Sequence, residues 1–471
     1  MNAPQRDGSW TPRIEGKEGP IYLAIADAIG AAVAAGELQP GERLPTHRAL
    51  ADALGVDLTT VTRAYAEGRK RGLLQATVGR GTFVRSPAGP AVRPKTQEGP
   101  VDLGMNLPPL PADASLQNLL QQGITRLLGQ GDMAQLLTYR SGSGTAEERA
   151  AGAIWLGPTL GDLDPERVLV CPGAQPALLA ILGSLGGAGD VVLTDGLTYP
   201  GIRSAAAQLG IRLIGIAADA EGLLPEAVDA ACQESPAKAL YCIPTIQNPT
   251  TVTMPPGRRR AIVEAARRHG LRIVEDDAYG LLPSRPVPAI ASIAPDISFH
   301  ISTVSKVLSP ALRMAYLVAP DVRCAGRLSA TLRANVLMAS PLLTSLVMAW
   351  VRDGTAGAVV SAIRRESAAR QKMAQEILPA QSFDAHPEGL HLWLHLPPRW
   401  NRLDFVAHLR RQGGLAVVPS DAFAVSAKDP PPDAVRVSLG AAANRDDLRR
   451  ALRFLAMVLA EEVPVPFSEI V

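Results

Sequence analysis

ISTVSKVLSPALRMAYL, from Ile301 to Leu317, sets one lysine, Lys306, between an apolar strand and a proline turn. Thr303 and Ser305 flank it with hydroxyls, and Arg313 follows one short segment later. A lysine that reacts with aldehydes must spend time as the neutral amine, which burial near other cations and a fixed polar partner arrange. Pyridoxal phosphate is the aldehyde most often held this way. It needs a phosphate cradle, an acid opposite its ring nitrogen and a clamp on its ring.

The preceding sequence offers each part. CPGAQPALLAIL is a strand end, then Gly173, Ala174 and Gln175, then a helix start, where open N–H groups suit a phosphate. DGLTYPG places Tyr199 after a strand, with an aromatic face for the pyridine ring. IPTIQNPTT ends a strand with Asn248, an amide that can donate to the ring's phenolic oxygen. IVEDDAYG puts Asp276 at the end of an apolar strand, three residues before Tyr279. A carboxylate facing the pyridine nitrogen keeps it protonated, and Tyr279 can donate to the phenolic oxygen. Thr303, Ser305 and Arg313 supply hydroxyl and guanidinium donors for the phosphate.

The 471 residues exceed one ordinary domain. Hydrophobic content near half and a charged fifth place the chain among globular proteins. A net charge of +2 decides nothing about partners. No apolar run reaches the roughly 18 residues of a membrane span. PLLTSLVMAWV comes nearest and reads as a buried helix, and MNAPQRDGSW lacks the order of a secretion signal. Cys171, Cys232, Cys242 and Cys324 form no C-x-x-C pair and read as reduced thiols, which suits a cytoplasmic protein with no metal site.

Three blocks separate by composition: a basic block over 18–86, a Pro/Gly-rich linker over 87–112, and an α/β block over 113–471. In the last, RVLVC, DVVLTD, IRLIGI, ALYCIP, LRIVEDD and SFHIST alternate with helical patterns. That order predicts a mainly parallel sheet with helices on both faces and ligands at the carboxyl ends of the strands.

In the basic block, Ile21, Ala24, Ile25, Ala28, Ile29 and Ala32 recur at helical spacing up to Gly36. Thr46 caps a second helix that ends at Gly55, and Asp57 caps a third. Two strands then surround Gly79, Arg80 and Gly81 as a small wing. Between Gly41 and Arg85, eight basic side chains face four acidic ones. Cations beside a recognition helix bind phosphates, and groove-facing threonine and arginine read base edges. GERLPTHRALADALGV, TVTRAYAEGRKRGLL and GRGTFV together resemble the winged helix-turn-helix of the GntR family. The resemblance implies binding of a double-stranded DNA operator by Arg48, Thr59, Thr60, Arg63, Gly79, Arg80 and Gly81. Asp57-Leu58 departs from the family's Ser-Arg.

The fragments around Lys306, in this order, resemble fold type I aminotransferases over about three quarters of the chain. The resemblance implies that Lys306 forms the Schiff base with pyridoxal 5′-phosphate and that Asp276 pairs with the pyridinium. Asn248 and Tyr279 bind the phenolic oxygen, Tyr199 stacks on the ring, and Gly173, Ala174, Gln175, Thr303, Ser305 and Arg313 hold the phosphate. Arg436 in AVRVSLG matches the family arginine that clamps an α-carboxylate. Tyr139 in LLTYRSGSG matches a tyrosine that reaches the partner chain's phosphate. Thr303 stands for the usual serine, NPTT for NPTG, and RMAY for an Arg-x-Gly pattern. Thr251 puts a Cβ where glycine tolerates positive φ.

A GntR-type head, a linker and an aminotransferase-like domain in this order resemble the MocR regulators, whose C-terminal sheet GLHLWLHL (Gly389 to Leu396) also matches. The resemblance implies a homodimeric transcription regulator, arranged head-to-tail. In it a small amino-compound effector reacts with the Lys306-bound cofactor and changes operator binding. The alternative expectation is a working aminotransferase with an attached DNA-binding domain.

Overall fold

The computed structural model describes residues 10–12, 20–39, 41–77, 81–84, 101–111, 115–130, 133–140, 142–426 and 430–461. The chain divides into two compact units, residues 1–97 and 98–471.

The first unit is three helices and a wing: α1 (Ile21–Ala34), α2 (His47–Leu54), α3 (Leu58–Lys70), β1 (Leu74–Thr77) and β2 (Gly81–Val84). Ile25, Ile29 and Ala32 are buried as the spacing predicts, whereas Ile21 is half exposed at the start of α1. They pack on Leu50, Val61, Ala64 and Tyr65. Thr46 caps α2 by accepting from the Ala49 N–H, and Gly55 ends it at φ 63°. Asp57 caps α3 by accepting from the Thr59 N–H (2.7 Å) and hydroxyl (2.5 Å). Asp57→Ala strips both acceptors, and a urea melt of the head's transition is expected to show a loss of about 1 kcal/mol. β1 and β2 pair antiparallel, Leu74 with Val84 through Thr77 with Gly81. Gly79 and Arg80, named above as DNA contacts, lie outside the described residues.

The second unit is built on seven strands: β3 (Val168–Cys171), β4 (Val191–Asp195), β5 (Arg212–Ile216), β8 (Ala237–Cys242), β9 (Arg272–Asp276), β10 (Ser298–Thr303) and β11 (Ala315–Val318). A two-residue hairpin, β6 (Ala218–Asp219) and β7 (Gly222–Leu223), follows β5. The order is β3-β11-β10-β9-β8-β4-β5. β10, β9, β8, β4 and β5 run parallel, whereas β11 is antiparallel to both neighbours. All six predicted strands are present. β11 is the addition: the segment after Lys306 doubles straight back along β10, pairing Thr303 with Ala315.

A smaller half carries a four-stranded antiparallel sheet in the order β12 (Phe383–Ala385), β13 (His391–His395), β15 (Ala434–Ser438), β14 (Val418–Pro419). Its core of Leu392, Leu394, Val435, Val437, Leu448 and Leu452 also takes in Leu103. Within the tract read as linker, the chain is therefore already packed at Leu103. The Leu103 N–H donates to the Ala416 carbonyl, and the Leu103 carbonyl accepts from Ser438 N–H, each at 2.9 Å. The helix Pro341–Arg352 buries Leu346, Val347 and Trp350. Among the described residues no single helix is long and apolar enough to cross a membrane. That helix and Thr355–Ile377 pass by length and composition only as a pair bent by 84°.

Beneath the carboxyl ends of the strands lies a buried charge cluster. Glu275, on β9, accepts from the Ile290 (2.8 Å) and Ala291 (2.9 Å) N–H groups and pairs with His300 Nδ1 (3.1 Å). Arg259 is fully buried 3.9 Å from Glu275. Burial alone raises a carboxyl; His300, Arg259 and the backbone donors outweigh it and hold Glu275 below the usual range. His300 is held above its own range by the same pairing, against the pull of burial.

Candidate functional site

A cavity of about 430 Å³ opens where β8, β9 and β10 end, between the large sheet and the small half. Its walls include Ala174, Gln175, Tyr199, Asn248, Asp276, Tyr279, Thr303, Ser305, Lys306, Arg313 and Arg436. Eleven positions chosen from scattered sequence fragments thus line one space.

The sheet register explains the polar floor. Tyr241 on β8 stands opposite Val274 on β9, so Asp276, two residues on, lies on the same face as Tyr241. The Tyr241 hydroxyl donates to Asp276 Oδ2 at 2.8 Å. Asp276 Oδ1 is buried without a partner. Burial pushes the carboxyl up to about 6 despite the Tyr241 hydrogen bond. A carboxylate in this condition gains from any N–H or cation placed against Oδ1.

Lys306 follows β10 and is nearly buried; its ammonium donates to the Asn106 carbonyl at 2.5 Å. Burial, then the charge of Arg436, lowers it to about 8, with Asp276 pulling the other way. The Thr303 hydroxyl accepts from the Ser305 N–H (3.1 Å) and donates to the Met314 carbonyl (3.3 Å), fixing the turn before the lysine. Arg313 sits at φ 45°, in the left-handed region. Gly173 starts the helix Ala174–Leu185 with no side-chain cap, at φ 114°. A Cβ on Gly173 would come within 3.3 Å of the Arg313 guanidinium. Open helix N–H groups and a guanidinium therefore meet at one end of the cavity.

At the other end, Arg436 on β15 donates to Asn248 Oδ1 (2.8 Å) and to the Gly104 carbonyl (2.5 Å), and lies 5.0 Å from the Phe423 ring centroid. Its Nε is buried without a partner. Thr251 stands at φ 66°, the positive value expected from its place in NPTT, and its N–H donates to the Gln247 carbonyl at 2.7 Å. Tyr139 does not line this cavity and is 79% exposed within its own chain.

Three polar side chains hydrogen-bonded at the site are absent from the sequence reading. Asn106 Nδ2 donates to the Tyr279 hydroxyl (2.8 Å) and lies 3.0 Å from His391 Nδ1. The one signal for Tyr241 is a tyrosine inside an aliphatic strand; its place on the Asp276 face comes from the register. His391 stands at the head of β13. Burial, then Arg436, pushes it down to about 3, so the ring is neutral. Nothing in its local pattern separates it from a core histidine.

On the winged helix, Arg48 and Arg63 are exposed, Thr59 is exposed and Thr60 half-buried. Arg63 lies 5.5 Å over the Tyr22 ring. Arg71, one of the eight basic residues counted, is paired with Asp27 (2.6 Å) and Glu67 (2.9 Å). Leu58, at the position where the resembling family has arginine, is 44% exposed.

Comparison with known proteins agrees with this architecture. Residues 98–455 match the family model for aminotransferase class I and II, and residues 21–84 that for bacterial regulatory proteins of the gntR family. The chain therefore joins a gntR-type DNA-binding head to an aminotransferase class I and II domain. It is 30% identical over 451 residues to the uncharacterized HTH-type transcriptional regulator YdeF of Bacillus subtilis, covering 96% of this chain and 97% of that one. It is 28% identical to the HTH-type pyridoxine biosynthesis transcriptional regulator PdxR of Corynebacterium glutamicum, over 66% and 68% of the two chains. Among solved structures, LysN, the α-aminoadipate aminotransferase of Thermus thermophilus determined with N-(5′-phosphopyridoxyl)-L-leucine, superposes with a TM-score of 0.69. It is 24% identical and covers 84% of this chain and 97% of that one. The chain belongs to the MocR-type HTH transcriptional regulators.

Proposed function

We propose that the cavity binds pyridoxal phosphate on Lys306 and that an amino compound reaching it there alters how the winged helix binds DNA. The observation that carries this reading is the unpaired, buried Oδ1 of Asp276 in the same cavity as a lysine lowered to about 8. A pyridine N–H would give Asp276 Oδ1 the donor it lacks. Gly173, the first turn of the helix Ala174–Leu185 and Arg313 would hold the phosphate, with Ser305 and Thr303 at its edge. Tyr199 would cover the ring, Asn248 and Tyr279 would donate to its phenolic oxygen, and Arg436 would take a ligand carboxylate. When bound, pyridoxal phosphate supplies an aldehyde and an electron-withdrawing ring. Tyr139, exposed on its own chain, would act on the partner's phosphate in a homodimer.

A lysine near 8 makes the capture of pyridoxal phosphate steeply pH-dependent. The neutral amine is the nucleophile, so deprotonation speeds the reaction. Stopped-flow absorbance is expected to show a rate rising about tenfold per pH unit below pH 8 and levelling above it. A rate that goes on rising tenfold per unit up to about pH 10 contradicts the lowered amine.

For the head, Arg48→Ala on α2 is expected to reduce the slope of log K against log salt by about 1, read by fluorescence anisotropy with a fragment of the protein's own promoter. An unchanged slope removes Arg48 from the phosphate contacts. The reading as a whole is tested by titrating pyridoxal phosphate-loaded protein with a panel of amino acids and amines. Absorbance, DNA affinity and product release with 2-oxoglutarate are followed together. A spectral change with altered DNA affinity and no turnover supports a sensor; repeated turnover with unaltered DNA affinity supports an enzyme.

A further inference from the structure

From the anchor at Leu103 to the contact at Leu107, both on the small half, the chain lines the cavity with Met105, Asn106 and Leu107. Leu103 is fixed to Ala416 and Ser438. The Leu107 carbonyl lies so near Gly440 that a Cβ there would approach it to 1.9 Å. In this segment, the Gly104 carbonyl accepts from Arg436 and the Asn106 carbonyl accepts from Lys306, each at 2.5 Å. The Asn106 carboxamide then bridges the halves, with Tyr279 on one side and His391 on the other.

The orientation of that carboxamide follows from the histidine. Neutral His391 has Nε2 facing the Gln247 carbonyl at 3.3 Å, so Nε2 carries the proton and Nδ1 accepts. Both hydrogens of Asn106 Nδ2 are thereby committed, one to His391 and one to Tyr279, and its Oδ1 stays buried without a partner. With the Tyr279 oxygen already accepting, its own proton is directed elsewhere.

We propose that Gly104 to Leu107 is a strap across the cavity, latched by Asn106, and that the ligand able to open it is an amine that carries a carboxylate. This rests on the assignment of Lys306 to the aldehyde and of Arg436 to a carboxylate. Those two cations are the ones that grip the strap's carbonyls: the aldehyde takes Lys306 from Asn106, and a ligand carboxylate competes with Gly104 for Arg436. A carboxylate outcompetes a neutral carbonyl for a guanidinium because the contact is charge-assisted. An amine without a carboxylate leaves Arg436 on Gly104. Asn106 is a positioning residue: it acts through Tyr279 and His391.

The test uses full-length protein with Cys232→Ser, since Cys232 is the one cysteine that is not buried. A nitroxide is placed at the exposed position Met105→Cys. The probes are N-(5′-phosphopyridoxyl)-L-leucine and N-(5′-phosphopyridoxyl)-3-methylbutylamine, which differ only by the carboxylate. With both bound to saturation, the label is expected to tumble about threefold faster with the leucine conjugate than with the amine conjugate. Asn106→Ala is expected to free the label without ligand, and so is Asn106→Asp, which keeps the volume and loses both N–H donors. Equal mobility with the two conjugates, or restrained labels in both variants, overturns the strap while leaving the cofactor reading intact. If neither conjugate binds, the cofactor reading fails and the strap with it.

Discussion

Full-length Lys306→Ala, incubated with pyridoxal phosphate and passed through a desalting column, is expected to emerge without it, whereas the parent chain retains about one equivalent. The remaining contacts, Asp276 Oδ1, the helix N-terminus at Gly173 and Arg313, survive the substitution, so reversible binding persists. The expected rise in Kd is two orders of magnitude or more, about 3 kcal/mol. The substitution removes a cation that donates to the Asn106 carbonyl and lies in the cavity, so the fold tolerates it. Lys306→Arg serves as the companion: it keeps the cation and loses the nucleophile. Retention of the cofactor by either variant after desalting would place the reactive amine elsewhere.

Arg259→Leu is expected to destabilise the large half by about 3–5 kcal/mol, read as a fall in the urea midpoint. The guanidinium is fully buried. It donates to the Met254 (2.9 Å), Pro288 (3.0 Å) and Pro244 (3.0 Å) carbonyls and to the Thr245 hydroxyl (2.9 Å). Removing it strands those acceptors and leaves Glu275 short of a cation beside Asp277. The damage reaches the site, because Pro244 and Met254 are the two ends of the loop that carries Asn248 and Thr251. Arg259→Lys restores one point charge but not the fork of donors, so it recovers only part of the loss. A midpoint unchanged in Arg259→Leu would mean the loop is held by its own hydrogen bonds, such as that from the Thr251 N–H to Gln247.

Much of this architecture was legible in the chain because local and global signals agree. Thr46, Asp57 and Gly55 punctuate the head where caps and a left-handed residue are required, and all three do so in the structure. The parallel strands read as short apolar runs because both of their faces are covered. β11 escaped because it is four residues long and follows β10 with only the single 3-10 turn Pro310–Leu312 between, a return that the alternation of strand and helix does not announce. Burial within α1 was overread at Ile21, since periodicity marks a face but not where the partner surface ends.

The candidate site was legible to the extent that its residues sit at strand ends. Asp276 ends a strand, Gly173 opens the helix after one, and Lys306 and Asn248 lie in the loops that follow strands, where chemistry gathers in such sheets. Arg436 lies inside β15 and could be picked out only by resemblance. Asn106 was hidden by composition: it sits among prolines and glycine in a tract that reads as spacer, yet it touches Lys306, Tyr279 and His391. Its role depends on contacts 173 and 285 residues away in sequence, which no local pattern encodes. Charge counting also overstated the head, since Arg71 is spent on Asp27 and Glu67.

The most direct measurement is borohydride reduction of the pyridoxal phosphate-loaded full-length protein, followed by digestion and mass spectrometry of the peptides. A phosphopyridoxyl group on Lys306 is the expected result. A group found on another lysine, or protein that carries none after prolonged incubation with the aldehyde, would contradict the function proposed for this chain.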